Sequence, residues 1–160
     1  RLLSINPSLQ LRALDLFYQE ETSGQLLSPC PDYIVDCIDT VAAKLELVTR
    51  CAALQIRIIS AMGSGNKLDP SAFSVSDLSK TEGCPLARVM RKELRARGIQ
   101  HLKVVFSPEE PVSPAQPETP PPGRHSVPAS NPWVPANAGL LLGSAVVRDL
   151  IAPVSRENTP

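Results

Sequence analysis

Asp39 is the residue whose type and setting come nearest to metal or phosphate chemistry. It closes the run Tyr33-Ile34-Val35-Asp36-Cys37-Ile38, a continuous β-branched stretch of the kind shown by a parallel strand covered on both faces. Ligands of open α/β sheets gather at the carboxyl ends of such strands, and a carboxylate there can hold Mg²⁺ bound to a triphosphate. The same aspartate, with Thr40, equally suits the cap of a following helix, and both readings stay open. Gly63-Ser64-Gly65 is the second candidate. A dinucleotide fingerprint needs a helix opening directly after its glycines, so that amides and dipole face the pyrophosphate. Here Leu68-Asp69-Pro70 stands in the way and no third glycine arrives. That leaves a loop whose backbone admits a ligand, or a plain turn. Cys84 precedes a helix-opening Pro85, a place where the dipole can lower a thiol pKa; a partly buried, inert cysteine is the alternative. Arg88, Arg91, Lys92 and Arg95, with Arg97 close by, form a basic stripe suited either to nucleic-acid phosphates or to simple solvation. The sequence contains no Walker-type loop and no serine–histidine–aspartate pattern.

Periodicity supplies the scaffold around these residues. Leu9 to Leu16 alternates as a strand would after the Asn6-Pro7 turn, and a short helix is expected over 20–27. Tyr33 to Ile38 is the first buried strand. Val41, Leu45, Val48 and Ala52 then recur at helical spacing, with Glu46 and Arg50 as an exposed i,i+4 pair. Ile56 to Ala61 is a second buried strand, and strand–helix–strand of this length implies a right-handed parallel crossover. After a loop over 62–70, Phe73 to Leu78 reads as a shorter, antiparallel strand. Pro85 opens a helix whose Leu86, Met90 and Leu94 share one face until Gly98 ends it. His101 to Phe106 is the last strand. Ten of the seventeen prolines fall between Pro108 and Pro135, so residues 108–131 are expected to be an irregular linker or crossover. An apolar helix is expected from Ala136 to about Ile151.

Bulk composition narrows the partners. Sixteen basic residues balance sixteen acidic ones, so any contact with nucleic acid must come from a local patch. Aromatics are only 4% against 42% hydrophobic residues, which makes the expected core aliphatic. The apolar run from Ala138 to Val147 is shorter than the roughly 20 residues of a membrane span; with no secretory signal visible, the expectation is a cytoplasmic chain without a membrane segment. Cys30, Cys37, Cys51 and Cys84 include no Cys-x-x-Cys pair; neither a zinc site nor a disulfide framework is expected.

Several segments together resemble a known family. Ile5-Asn6-Pro7, followed by Pro31-Asp32-Tyr33-Ile34-Val35-Asp36-Cys37-Ile38-Asp39-Thr40 with Lys44 after it, is similar to the Asn-Pro turn and Asp-Tyr-x-x-Asp-x-x-Asp segment of the ThiF/MoeB/HesA, ubiquitin-activating-enzyme-like superfamily. Gly63 to Pro70, Cys84 to Arg91, Lys103 to Ser107, and the tail from Trp133-Val134-Pro135 to Val147-Arg148-Asp149-Leu150 resemble its tRNA threonylcarbamoyladenosine dehydratase branch. The resemblance implies an α/β fold: the C-terminal half of a Rossmann-like sheet with a proline-rich crossover and a C-terminal helix. It divides the chain into a partial adenylation domain over 1–107, the crossover over 108–131, a helical segment over 132–152 and a tail over 153–160.

The implied activity is ATP- and Mg²⁺-dependent adenylation of a carboxylate, that of the threonylcarbamoyl group on tRNA, whose activation permits cyclisation. Asp39 maps onto the acid that contacts magnesium–ATP, and Arg88, Arg91, Lys92 and Arg95 become candidate tRNA contacts. No residue is assigned a catalytic role. Implied partners are tRNA, a second copy of the chain in a homodimer, and sulfur-transfer proteins. The family's glycine-rich phosphate loop, ribose-binding acid and phosphate-facing cations lie ahead of the Asn-Pro turn. This chain starts at Arg1 without a methionine, so the expectation is a fragment inactive alone. Two rival readings are a sulfur-carrier adenylyltransferase, disfavoured by the missing cysteine pairs, and a non-catalytic dimerisation or RNA-binding fragment.

Overall fold

The computed structural model describes residues 1–113, 115 and 127–152. The tail over 153–160 and most of the stretch 114–126 lie outside the described residues. Leu2–Ile5 is a one-turn helix, α1, and Glu20–Leu26 is α2. Tyr33–Asp36 (β1), Val41–Ala53 (α3) and Arg57–Ala61 (β2) form the expected parallel unit, in register from Tyr33 opposite Arg57 to Asp36 opposite Ser60. Ser74–Asp77 is β3, Pro85–Ala96 α4, Lys103–Phe106 β4 and Trp133–Ile151 α5. The sheet runs β1-β2-β4-β3, with β4 parallel to β2 and β3 antiparallel to β4. It is a mixed α/β fold of the Rossmann-like kind.

Strand alternation builds two cores from the central strands. Ile58, Val104 and Phe106 pack on one face with Leu45 and Val48 of α3 and Met90 and Leu94 of α4. Ile59 and Val105 point the other way, onto Val134, Ala138 and Leu142 of α5. Three layers result, and every parallel strand ends at the same edge. Helix α4 stops where Gly98 takes a φ of 79°; the Ile99 amide returns to Leu94 O and the Gly98 amide to Arg95 O, closing the last turn as a Schellman motif.

Four expectations need correction. Leu9 to Leu16 is not a strand: it is irregular, and Leu9, Leu11, Leu14 and Leu16 are exposed, because no described neighbour offers a ladder to pair with. Strand β1 is covered on both faces only in part: Tyr33 packs toward α5 and Ile34 toward α3, but at the edge of the sheet Val35 remains 45% exposed. Helix α5 starts three residues before Ala136. Pro135 is its third residue, where a missing N–H costs no intrahelical bond, and the Asn131 side-chain oxygen accepts from the Val134 amide. That helix is also longer than the apolar run within it: at 19 residues and a mean hydropathy of 1.3 it is, by length and composition alone, apolar enough to cross a membrane.

The thiols of Cys30, Cys37, Cys51 and Cys84 are free. The described residues of 108–131 adopt neither helix nor strand.

Candidate active site

A cavity of about 580 Å³ opens at the carboxyl ends of the parallel strands, within the range of small-molecule sites. Its walls come from five places: the β1–α3 turn with Asp39, the loop 63–67 after β2, the first turn of α4 with Cys84 and Leu86, Pro111 and Pro128 of the proline-rich stretch, and the N-terminal half of α5 with Ala138 and Leu142.

Asp39 is exposed on this cavity, and its one hydrogen bond among the described residues is a 3.4 Å contact from Thr40 Oγ1. The N-cap residue of α3 is Thr40, and no side chain caps that helix. The geometry therefore gives the Asp39 carboxylate no capping role.

The carboxylate that organises the turn is Asp36, which sequence reasoning did not single out. Its Oδ1 accepts the Ile38 amide at 3.0 Å, while Oδ2 accepts Lys44 Nζ at 2.8 Å and Ser60 Oγ at 2.5 Å. Both ion-pair side chains are 0% exposed. Removing one member of such a pair strands a buried charge, at a cost of about 3–5 kcal/mol.

The loop after the glycines is tied to the chain itself. The Asn66 amide donates to Ala129 O, and Val112 N–H donates to Asn66 O. The amides of Leu68 and Asp69 donate to the two oxygens of the Glu109 carboxylate. The next element along the chain is a 3₁₀ turn, Pro70–Ala72, rather than an α-helix. Gly65 does permit a close approach, but to the chain itself: a Cβ there would lie 2.9 Å from the Pro128 side chain. Lys67, only 2% exposed, gives its ammonium to the carbonyls of Ser107 and Glu109, and burial pushes its pKa down.

Cys84 occupies the N-cap position of α4 and lines the cavity, but it is 3% exposed. Arg88, Lys92 and Arg95 project outward from the same helix. Arg91 does not join them. Its guanidinium turns inward and donates to Leu78 O, Thr81 O and Thr81 Oγ1, tying α4 to the turn before it.

These residues fit one side of a magnesium–nucleotide. Asp39 is a hard oxygen donor on a cavity of suitable size. Among the described residues no group of three metal-ligating side chains exists, so Asp39 would be a single ligand to an ion held mainly by phosphate. The lysines nearest the turn and loop, Lys44 and Lys67, are buried and already bonded.

Comparison with known proteins supplies the family. The model of the ThiF family matches residues 1–139. The chain belongs to the ThiF family. This ThiF-family chain is 37% identical over 163 residues to tRNA threonylcarbamoyladenosine dehydratase of Bacillus subtilis, covering 96% of the chain and 64% of that protein. It is similar to the solved structure of Escherichia coli tRNA N6-threonylcarbamoyladenosine dehydratase in complex with ATP, with a TM-score of 0.81 and 27% identity over 98% of the chain and 63% of that one. A shorter likeness, 36% over 73 residues and 42% of the chain, joins it to the sulfur carrier protein ThiS adenylyltransferase of E. coli, of which it covers 28%. The chain thus spans less than two thirds of the length of each of these relatives.

Proposed function

We propose that this chain forms the magnesium-facing and cavity-walling part of an ATP-dependent enzyme that activates the threonylcarbamoyl carboxylate of tRNA threonylcarbamoyladenosine for cyclisation. The observation that carries the reading is the Asp39 carboxylate, exposed on a cavity at the strand ends, in a chain similar to such dehydratases over 96% of its length. The sulfur-carrier reading has support over less of the chain.

A carboxylate is a poor electrophile until one oxygen becomes a leaving group; bound ATP would supply this by transferring its adenylyl group to that oxygen, with pyrophosphate leaving. Asp39 would hold the metal side of that nucleotide. Ala138, Leu142 and Leu86 present apolar surface to the cavity and limit water around the activated group. Arg88, Lys92 and Arg95 lie along the outside of the helix whose first turn walls the cavity, where tRNA phosphates can dock. A homodimer, sulfur-transfer partners and a cytoplasmic setting belong to the same proposal. So does the division into an adenylation part over 1–107, a crossover over 108–131 and a helical segment over 132–152.

Two measurements test the reading. Calorimetric titration of the 160-residue chain with magnesium–ATP is expected to show no saturable binding at millimolar nucleotide, because no α-helix opens behind the glycine loop to add its amides and dipole and the lysines nearest Asp39, Lys44 and Lys67, are already bonded. A stoichiometric micromolar isotherm overturns that expectation. Joining the N-terminal part of the Bacillus subtilis relative ahead of Arg1 is expected to yield ATP–pyrophosphate exchange that depends on threonylcarbamoyladenosine-bearing tRNA. Exchange stimulated by a ubiquitin-like sulfur carrier instead would favour the rival.

A further inference from the structure

We infer that Asp36 and Lys44 are positioning residues that fix the direction of the Asp39 carboxylate; the inference rests on the reading that Asp39 faces a divalent cation.

Asp39 has little of its own to hold it still. Its side chain is exposed, and its single hydrogen bond among the described residues is the long one from the neighbouring Thr40. The order of the turn must come from its backbone. Asp36 folds that backbone back on itself by accepting the Ile38 N–H with Oδ1. A carboxylate can do this rigidly only if it is fixed in turn. Lys44, in the first turn of α3, and Ser60, on the neighbouring strand β2, both donate to Oδ2. The end of β1, the start of α3 and the carboxyl end of β2 thus converge on one buried carboxylate. The four-residue turn carrying Asp39 is anchored at both ends.

The chemistry of the pair separates this role from plain stabilisation. A buried leucine and methionine would fill similar space without desolvating two charges, and such swaps commonly leave stability unchanged or raised. What an apolar pair cannot do is accept the Ile38 amide. Lys44 has a second effect. By neutralising Asp36 it leaves Asp39 as the single uncompensated carboxylate of the turn, so an incoming cation has one destination rather than two.

The experiment uses the 160-residue chain, with Mn²⁺ as the cation probe. Amide broadening by submillimolar Mn²⁺ is expected at residues 38–41 of the unaltered chain, and is expected to vanish in Asp39→Asn. Absence of that broadening in the unaltered chain would sink the cation reading of Asp39 and leave the geometry of the turn untouched. The double variant Asp36→Leu/Lys44→Met tests the positioning. With the fold retained by circular dichroism, the order parameters of amides 38–40 are expected to fall from about 0.85, the rigid-backbone value, to below about 0.6. Exchange of the Ile38 amide should quicken at least tenfold, and Mn²⁺ broadening at 38–41 should weaken severalfold. A folded double variant with a rigid turn and unchanged broadening would show a pair that only stabilises, and would overturn the inference. Should the double variant fail to fold, Ser60→Ala removes one of the two Oδ2 donors without stranding a charge. Exchange at Ile38 is then expected to quicken two- to threefold at unchanged secondary structure, and no change there refutes the positioning role.

Discussion

Two connections leave the carboxyl edge of the sheet side by side, and they differ in which of their polar groups the fold leaves free. The loop after β2 contains Gly-Ser-Gly but opens no helix behind it; the turn after β1 has no glycine and carries Asp39 at a strand end. In the folded chain the second half of that loop, from Asn66 to Asp69, is already engaged. Asn66, Leu68 and Asp69 donate their amides to Ala129 and Glu109, and Lys67 is bonded to two carbonyls. The β1 turn keeps the Asp39 carboxylate exposed on the cavity while Asp36 beneath it holds the backbone. A ligand-binding loop is recognised by which groups remain unbonded, and glycine content alone does not report that.

The sharpest way to break the contrast is to remove the support beneath the first turn. Lys44→Met leaves the Asp36 charge buried without its partner, and should lower unfolding free energy by about 3–5 kcal/mol, read by urea denaturation. A loss below about 1 kcal/mol would place the pair among weakly coupled surface pairs and undo the argument for a rigid turn.

Asp39→Asn comes next. In the fusion with the Bacillus subtilis N-terminal part it should reduce ATP–pyrophosphate exchange about a hundredfold, about 2.7 kcal/mol of barrier, with little change in stability. Activity retained within about twofold, only about 0.4 kcal/mol, would strip the residue of its metal role.

For the second loop the expectation concerns stability and not chemistry. Gly65→Ala forces a Cβ to 2.9 Å from Pro128, and overpacking of this order costs about 1–3 kcal/mol. Thermal melting would register it, and an unchanged midpoint would mean that Pro128 can move aside freely.

Gly63→Ala should do least. Its Cβ meets Cys84 and Leu86 at ordinary contact distance, 3.7 Å, so stability should move by no more than about 0.5 kcal/mol and exchange activity in the fusion should persist. A large loss of exchange here would restore a phosphate role to the glycine loop.

Most of the scaffold was readable in advance, because strand alternation and helical spacing act locally. Tyr33, Ile58, Ile59, Val104 and Val105 announce strands wherever they pack, and Pro85 and Gly98 bracket α4 by backbone preference alone. What escaped notice depends on neighbours distant in sequence. Leu9 to Leu16 alternates correctly, but alternation provides no partner strand. Arg91 looks like its neighbours Arg88 and Lys92 until the carbonyls of Leu78 and Thr81 come within reach. Asp36 reads as one polar residue in an apolar run; its meaning appears only when α3 brings Lys44 back over the strand end and β2 sets Ser60 beside it. Asp39 was legible as a candidate from its place at a strand end, whereas its freedom from capping needed the geometry of α3.

The triple attachment at Asn66 has a consequence for how this chain can vary over evolutionary time. Val112 and Ala129 are fastened to the same residue, through its carbonyl, amide and side-chain oxygen, so the two ends of the proline-rich stretch meet whatever lies between them. Closure entropy grows only logarithmically, by about 0.6 kcal/mol for each doubling of a flexible segment. Residues can therefore be gained or lost between those two points at small thermodynamic cost while Pro111 and Pro128 keep their places against the cavity. Insertions and deletions, and any new recognition surface they bring, have an entry point here that leaves the cavity intact.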